Sequence, residues 1–298
     1  MTIGISIQNE QYPFYEAMID GMRQTVAKRE YPYQLVVRDA ETSLIQLSQV
    51  EDFIESGVDA IVLAPVDSED VDPAILEANT ADIPVFTVDI EDETGEERVA
   101  ASITSNNEGG GESAGHALCQ LPKDRTILIL GQPGITSVRE RVFGFRKIIS
   151  QCRHSFPKGL NGGTSSDSAA KALKTVLGEQ RHLGAVFAVN DTMALGALQA
   201  IGDAKCHHTV SGHIDVIGYD GSPDAIADVG KGDISLEVVQ YPQKLGSLAI
   251  KQIHDYFLKT LHQTTPVPTT TYRKGEPTPT PWSSATPNAP RATGSRCS

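Results

Sequence analysis

Asp89, Arg141, Asn190, Asp220 and Gln240 stand at or beyond the ends of short apolar runs of this chain. Gln8 and Asn9 follow another such run, residues 3–7, with the aromatics Phe14 and Tyr15 close behind. Tyr219 immediately precedes Asp220. Carboxylate, amide and guanidinium groups are planar and make paired hydrogen bonds in a fixed plane. That chemistry suits vicinal hydroxyls. The flat faces of Phe14, Tyr15 and Tyr219 suit the C–H face of a sugar ring. The set fits a small neutral polyol better than a phosphate, because no Walker loop or G-x-G-x-x-G follows a strand-like run.

Each of these residues also has a purely structural use. Asp89 and Asp220 can cap the turns that follow them, and Asn190 can cap a helix over 191–201. Ser137 with Glu140 reads as a capping box. Phe14 and Tyr15 can be ordinary packing at a helix start. It is their joint occurrence at many strand ends that points to a site.

Other chemistries are weaker. Gly111-Glu112-Ser113-Ala114-Gly115 has the spelling of a nucleophile elbow, with His254 and Asp220 as conceivable triad partners. An elbow must follow a strand directly, whereas residues 105–110 intervene, so Ser113 is expected inside a helix. The Cys206-His207-His208 run with His213 reads as a solvated connection rather than a metal site. Asp89 and Asp220 as paired acids would suit glycoside hydrolysis only at a defined separation. No catalytic residue, metal ligand or cofactor is assigned, and the protein is read as no enzyme.

The elements that must position these residues alternate. Strand-like runs are predicted at 3–7, 33–37, 59–64, 84–88, 99–104, 126–130, 185–189, 215–219 and 235–239, with amphipathic helices between them. Continuous Val/Ile/Leu runs between helices mean parallel strands covered on both faces, an α/β fold. Residues 83–89 resemble 214–220, each a buried run ending in Asp, which suggests two sheets of similar topology. The length, 298 residues, allows two domains. Five prolines lie among Thr, Ser and Ala in 275–298, and this stretch reads as a disordered or extended tail.

The net charge of −13 argues against nucleic acid and against an anionic membrane surface. No apolar run approaches a membrane span. Met1-Thr2 runs at once into Ile3, Ile5 and Ile7, which does not read as a signal peptide. Cys119, Cys152, Cys206 and Cys297 show no C-x-x-C spacing and read as neither a disulfide framework nor a zinc module.

Several stretches in order resemble the ribose-binding-protein group of periplasmic sugar-binding proteins, the type I solute-binding fold. They are residues 12–21, 83–89, 136–145, 187–197 and 216–224, and the resemblance runs from about 3 to 274. It implies two Rossmann-like lobes with parallel sheets, joined by a three-strand hinge crossing near Thr104, Gln240 and Pro266. The lobes would be 1–104 plus 241–265 and 105–240 plus 266–274. It implies a ribose-like pentose or hexose in the interlobe cleft, closure around it, and delivery to an ABC-transporter permease or a sensor membrane subunit. A periplasmic monomer is the expected form. Phe14 and Tyr15 would stack on the ligand. Gln8, Asn9, Asp89, Arg141, Asn190, Asp220 and Gln240 would bind its hydroxyls, with Tyr219 beside them. Three positions depart from the group: Ile90 stands where an Arg is usual, Ser166 where an aromatic is expected, and Tyr12 where an Asn precedes Pro13. The alternative is the ligand-sensing core of a LacI-type transcription regulator, which shares the fold.

Overall fold

Two parallel sheets dominate the computed structural model, which describes residues 1–9, 12–93, 95, 98–154, 157–179, 182–207, 212–262, 266–279 and 282. The first sheet holds β1 (Thr2–Ile7), β2 (Gln34–Asp39), β3 (Ala60–Leu63), β4 (Val85–Val88) and β5 (Ala101–Ile103), in the order β2-β1-β3-β4-β5. The second holds β6 (Thr126–Gly131), β7 (Lys158–Asn161), β8 (Leu183–Ala188), β9 (Asp215–Asp220), β10 (Leu236–Val239) and β11 (Thr270–Tyr272), in the order β7-β6-β8-β9-β10-β11. Up to β10 the second sheet repeats the order of the first. All pairings are parallel except β10 with β11. The repeat suggested by residues 83–89 and 214–220 is therefore a repeat of topology.

Crossover helices cover the sheets: α1 (Pro13–Arg29), α2 (Ser43–Glu55) and α3 (Asp72–Thr80) in the first half, and α4 (Asn107–Leu118), α5 (Thr136–Gln151), α6 (Ser166–Leu177), α7 (Asp191–Cys206) and α8 (Pro223–Lys231) in the second. α9 (Pro242–Phe257) returns from β10 to pack on α1 of the first lobe. Two apolar layers flank the first sheet, one built with α1 and α9 and one with α2 and α3. A single large core fills the second lobe. The chain passes between lobes beyond β5, at Gln240, and again where Val267 bridges Ser105 before β11.

The glycine-rich run of α4 has a packing role. A Cβ on Gly111 would lie 2.0 Å from the Arg141 carbonyl oxygen, and one on Gly110 would lie 2.1 Å from the Tyr219 hydroxyl. Only glycine lets α4 and α5 approach so closely, and that approach aims Arg141 at the cleft. Ser113 lies inside α4 and donates to the Gly109 carbonyl at 2.9 Å, so the elbow spelling has no elbow geometry.

Four expectations are corrected. Cys119 and Cys152 form a disulfide at the C-terminal ends of α4 and α5, their Cα atoms 5.3 Å apart. Their spacing carries no signature, and the helix pairing alone brings them together. Ser137 is no cap: α5 starts after Ile135 without a side-chain cap, and Glu140 instead accepts from Asn107. Strands β7 and β11 were not predicted, because short edge strands such as Lys158–Asn161 lack an apolar run. Finally, Trp282 is no part of a free tail. It is buried in the core of the first lobe, edge-on to Phe14 with ring centres 5.9 Å apart. Residues 280–281 and 283–298 lie outside those described.

Candidate functional site

The site lies where the carboxyl ends of the two sheets face each other, the usual place for ligands of open parallel sheets. β4 delivers Asp89 from the first lobe. Its backbone is left-handed, with φ 68°, and its carboxylate accepts from the Tyr15 hydroxyl at 3.2 Å. The carboxyl is buried, and burial pushes its pKa up to about 7; Arg141 opposes this rise and Asp220 adds to it. The three groups are thus close enough for their charges to act on one another across the cleft.

β9 delivers Asp220 from the second lobe, also at positive φ, 118°. Its Oδ1 accepts from Gln240 Nε2 at 2.6 Å and from Arg141 Nη1 at 3.3 Å. The Asp191 backbone and the Tyr12 side chain also favour its charged form. Burial raises the pKa of Asp220, against the pull of Arg141 and these hydrogen bonds.

Arg141 is only 4 % exposed. Its Nε donates to Asn107 Oδ1 at 2.9 Å and its Nη1 to the Val189 carbonyl at 2.8 Å. Its guanidinium lies 4.0 Å above the Tyr219 ring. Burial disfavours its charge, yet Asp220, Tyr219 and Asp89 together raise its pKa above the ordinary value. Arg141 therefore holds the floor of the site together as well as carrying its positive charge.

A second buried acid pair lies under Asp220. Gly221 N donates to Glu237 Oε1 at 3.0 Å, and Ser222 N to Asp191 Oδ2 at 2.6 Å. Their other oxygens, Asp191 Oδ1 and Glu237 Oε2, are buried without a hydrogen-bond partner among the described residues. Burial, and then the charge of Asp220, pushes Asp191 up to about 7, with Glu237 opposing the rise; burial and then Asp191 push Glu237 well above its usual range. Two buried carboxyls this close favour the neutral form of one of them, because two ionised carboxylates out of water repel.

The predicted residues divide. Asp89, Arg141, Asp220 and Gln240 meet at the cleft. Gln240 Oε1 is buried without a protein hydrogen bond, an acceptor aimed beside Asp220. Tyr15 meets them through Asp89. Asn190 serves first as the N-cap of α7, accepting from Met193 N at 2.9 Å, which leaves its amide N–H donors. Gln8 donates to the Pro65 carbonyl at 2.9 Å, and Asn9 is exposed. Phe14 packs on Trp282 and Tyr15 in the lobe core. Tyr219 is fully buried, sandwiched between Arg141 and α4, so it braces the arginine from behind.

Asn107, Asp191 and Glu237 were not singled out as site residues. Asn107 and Asp191 do carry the strand-end signal, since each follows a predicted run closely. Glu237 is a lone acid inside the apolar run 235–239, and that anomaly was its signal.

Contacts on one rim join the lobes. Ser68 Oγ accepts from Thr136 N at 3.0 Å, Ser68 N donates to the Gly134 carbonyl at 3.2 Å, and Glu91 N donates to Thr136 Oγ1 at 3.2 Å. Arg139 pairs with Glu93. Ile90 of the first lobe sits in the apolar core of the second, with Ile135 and Val138. Where the resembled group carries a charged donor, this chain thus has an apolar interlobe contact. Ser166 opens α6, with its carbonyl against α7.

This architecture matches the family described as periplasmic binding protein domain over residues 3–259. The chain belongs to that family. It is 34% identical to the ribose import binding protein of Bacillus subtilis over 257 residues, covering 85% of this chain and 81% of that protein. The Escherichia coli ribose import binding protein is 29% identical over 253 residues, covering 84% and 82%. An arabinose-transporter binding protein from Shewanella sp. ANA-3, bound to L-arabinofuranose, superposes with a TM-score of 0.79 at 26% identity, covering 92% and 91%. A solute-binding protein of Agrobacterium vitis bound to α-D-tagatopyranose superposes at 0.83 with 21% identity, covering 92% and 95%, which speaks for the fold alone. The relatives are named as binding proteins for import, not as enzymes.

Proposed function

We propose that this chain binds a small neutral sugar, pentose or hexose, between its two lobes and delivers it to an ABC importer without chemical change. Asp89 carries the reading. A carboxylate has about four acceptor sites. Among the described residues, the side-chain donor found on this one is Tyr15, so capacity remains for sugar hydroxyls. The buried Gln240 Oε1 is a second acceptor of the same kind. Ligand contacts to both lobes would favour the closed arrangement over an open one. The backbone passages at Ser105–Val267 and Gln240 support a hinge there, with lobes 1–104 plus 241–265 and 105–240 plus 266–274. The names of the relatives favour an import role outside the cytoplasmic membrane over the sensing core of a repressor.

Calorimetric titration with a panel of sugars, D-ribose first, tests this. Saturable one-to-one binding with the sugar recovered unchanged is expected. Silence across pentoses, hexoses and polyols would overturn it.

A further inference from the structure

β10 carries an acid where a buried parallel strand has no packing use for one. Glu237 is fully buried between Leu236 and Val238, and it stands opposite Gly218 of β9. Gly218 makes the room: a Cβ there would lie 2.1 Å from Glu237 Oε2. The strand pair is thus built around the carboxyl. Burying such a group costs free energy unless its hydrogen bonds offset the loss of water. Glu237 Oε1 accepts from Gly221 N at 3.0 Å, but Oε2 is buried without a partner among the described residues. The use of this acid therefore lies in what the Gly221 bond holds.

That bond holds a strained turn. Asp220 and Gly221 leave β9 at positive φ, 118° and 83°, a region in which an aspartate is strained. The N–H groups of Gly221 and Ser222 end on two buried carboxyls, Glu237 Oε1 at 3.0 Å and Asp191 Oδ2 at 2.6 Å. Asp191 opens α7 and Glu237 lies in β10, so the turn is pinned from two elements. The pinned turn sets the direction of Asp220. Asp220 accepts from Gln240 Nε2 at 2.6 Å, which fixes that amide and leaves Gln240 Oε1 as the buried acceptor without a protein bond. Glu237 thus acts on the cleft through the turn.

We propose that Glu237 is a positioning residue for the ligand: it holds the turn 220–222 in the strained form that sets Asp220 and, through Asp220, the acceptor of Gln240. Asp191 is the second anchor of the same turn. Accepting from an N–H needs an oxygen lone pair and no net charge, so an amide at position 237 serves and an apolar side chain does not. The effect on sugar affinity rests on the sugar-binding reading above; the hold on the turn does not.

Glu237→Met and Glu237→Gln test this. Methionine keeps the volume and removes the acceptor, and exchanging a buried ionisable group for an apolar one of similar size is often neutral or stabilising. A urea midpoint no lower than that of the unaltered chain is therefore expected for Glu237→Met. Its D-ribose binding should be about ten-fold weaker, which corresponds to ~1.4 kcal/mol. Glu237→Gln should recover most of that loss. Unchanged affinity in Glu237→Met, equal losses in both variants, or a loss of affinity matched by a loss of stability would overturn the positioning role. Hydrogen exchange of the sugar-free proteins reads the turn without a ligand. The Gly221 and Ser222 amides should exchange faster in Glu237→Met than in the unaltered chain, with Glu237→Gln close to the latter. Equal exchange in all three would overturn the hold on the turn. If the unaltered chain binds no sugar, the proposed function fails while exchange still decides the anchor.

Discussion

Asp89 and Asp220 end corresponding strands, β4 and β9, in sheets of the same order, yet their surroundings are opposite. Both are buried and both sit at positive φ. Asp220 accepts from a buried arginine and a buried amide. Asp89 meets one tyrosine and has its pKa raised to about 7, chiefly by burial. One topology therefore yields a rigid half and a receptive half. The second lobe spends its aspartate on organising Arg141, Gln240 and the turn to α8; the first keeps its aspartate open to a partner. Duplicated architecture need not mean duplicated chemistry, because donors arrive from helices that differ between the halves.

The strongest way to break the contrast is Arg141→Ala. The sequence alone suggests that this weakens ligand binding with the fold intact. The structure instead has Arg141 serving Asn107, the Val189 carbonyl and Asp220 from a buried position. Removing it strands a buried carboxylate, and a loss of about 4 kcal/mol of stability is expected. Urea unfolding of the sugar-free protein checks this. A midpoint equal to that of the unaltered chain would reduce Arg141 to a ligand contact.

The first lobe has its own dependence, on Trp282. Its ring fills the core beside Phe14, so Trp282→Ala should cost about 3 kcal/mol through the cavity it leaves. Proteolysis that cuts the first lobe earlier than the second is the expected signature. Equal resistance would mean that the tryptophan covers the lobe without supporting it.

The smallest effect sharpens the comparison by pH. Asp89 has a folded pKa near 7 and an ordinary unfolded value. A group raised in this way adds stability below its unfolded pKa and loses it as pH climbs through about 7. Asn imitates the neutral acid. Asp89→Asn should therefore match the unaltered chain near pH 4.5 and melt higher at pH 8. The gain should be roughly 1–2 kcal/mol once residual hydration of the cleft is allowed for. An offset identical at both pH values would place Asp89 in an unstrained, hydrated setting.

Much of this molecule is legible in its residues. Continuous Val/Ile/Leu runs separated by helical periodicity fit parallel strands covered on both faces by helices, and ligands of open parallel sheets bind beyond the carboxyl ends of such strands. That reasoning puts Asp89, Asp220 and Gln240 at strand ends, and in the structure they lie where the carboxyl ends of the two sheets face each other. It also placed Asn190 and Tyr219 at strand ends without being able to say which way they serve. Asn190 caps its own helix, a use decided by the α7 backbone three residues on. Tyr219 turns inward because glycine at 110 leaves room for its hydroxyl. The Cys119–Cys152 bridge and the seat of Trp282 were invisible for the same reason.

The amino-acid sequence by itself determined the alternation of elements, the parallel sheets and the ring of polar residues at their ends. These depend on local periodicity and on backbone groups that must pair. Only the tertiary structure decided which of those polar groups stay available. A carboxylate's partners come from chain segments tens of residues away: Arg141 and Gln240 converge on Asp220. Saturation, desolvation and charge are properties of that meeting and not of any one segment.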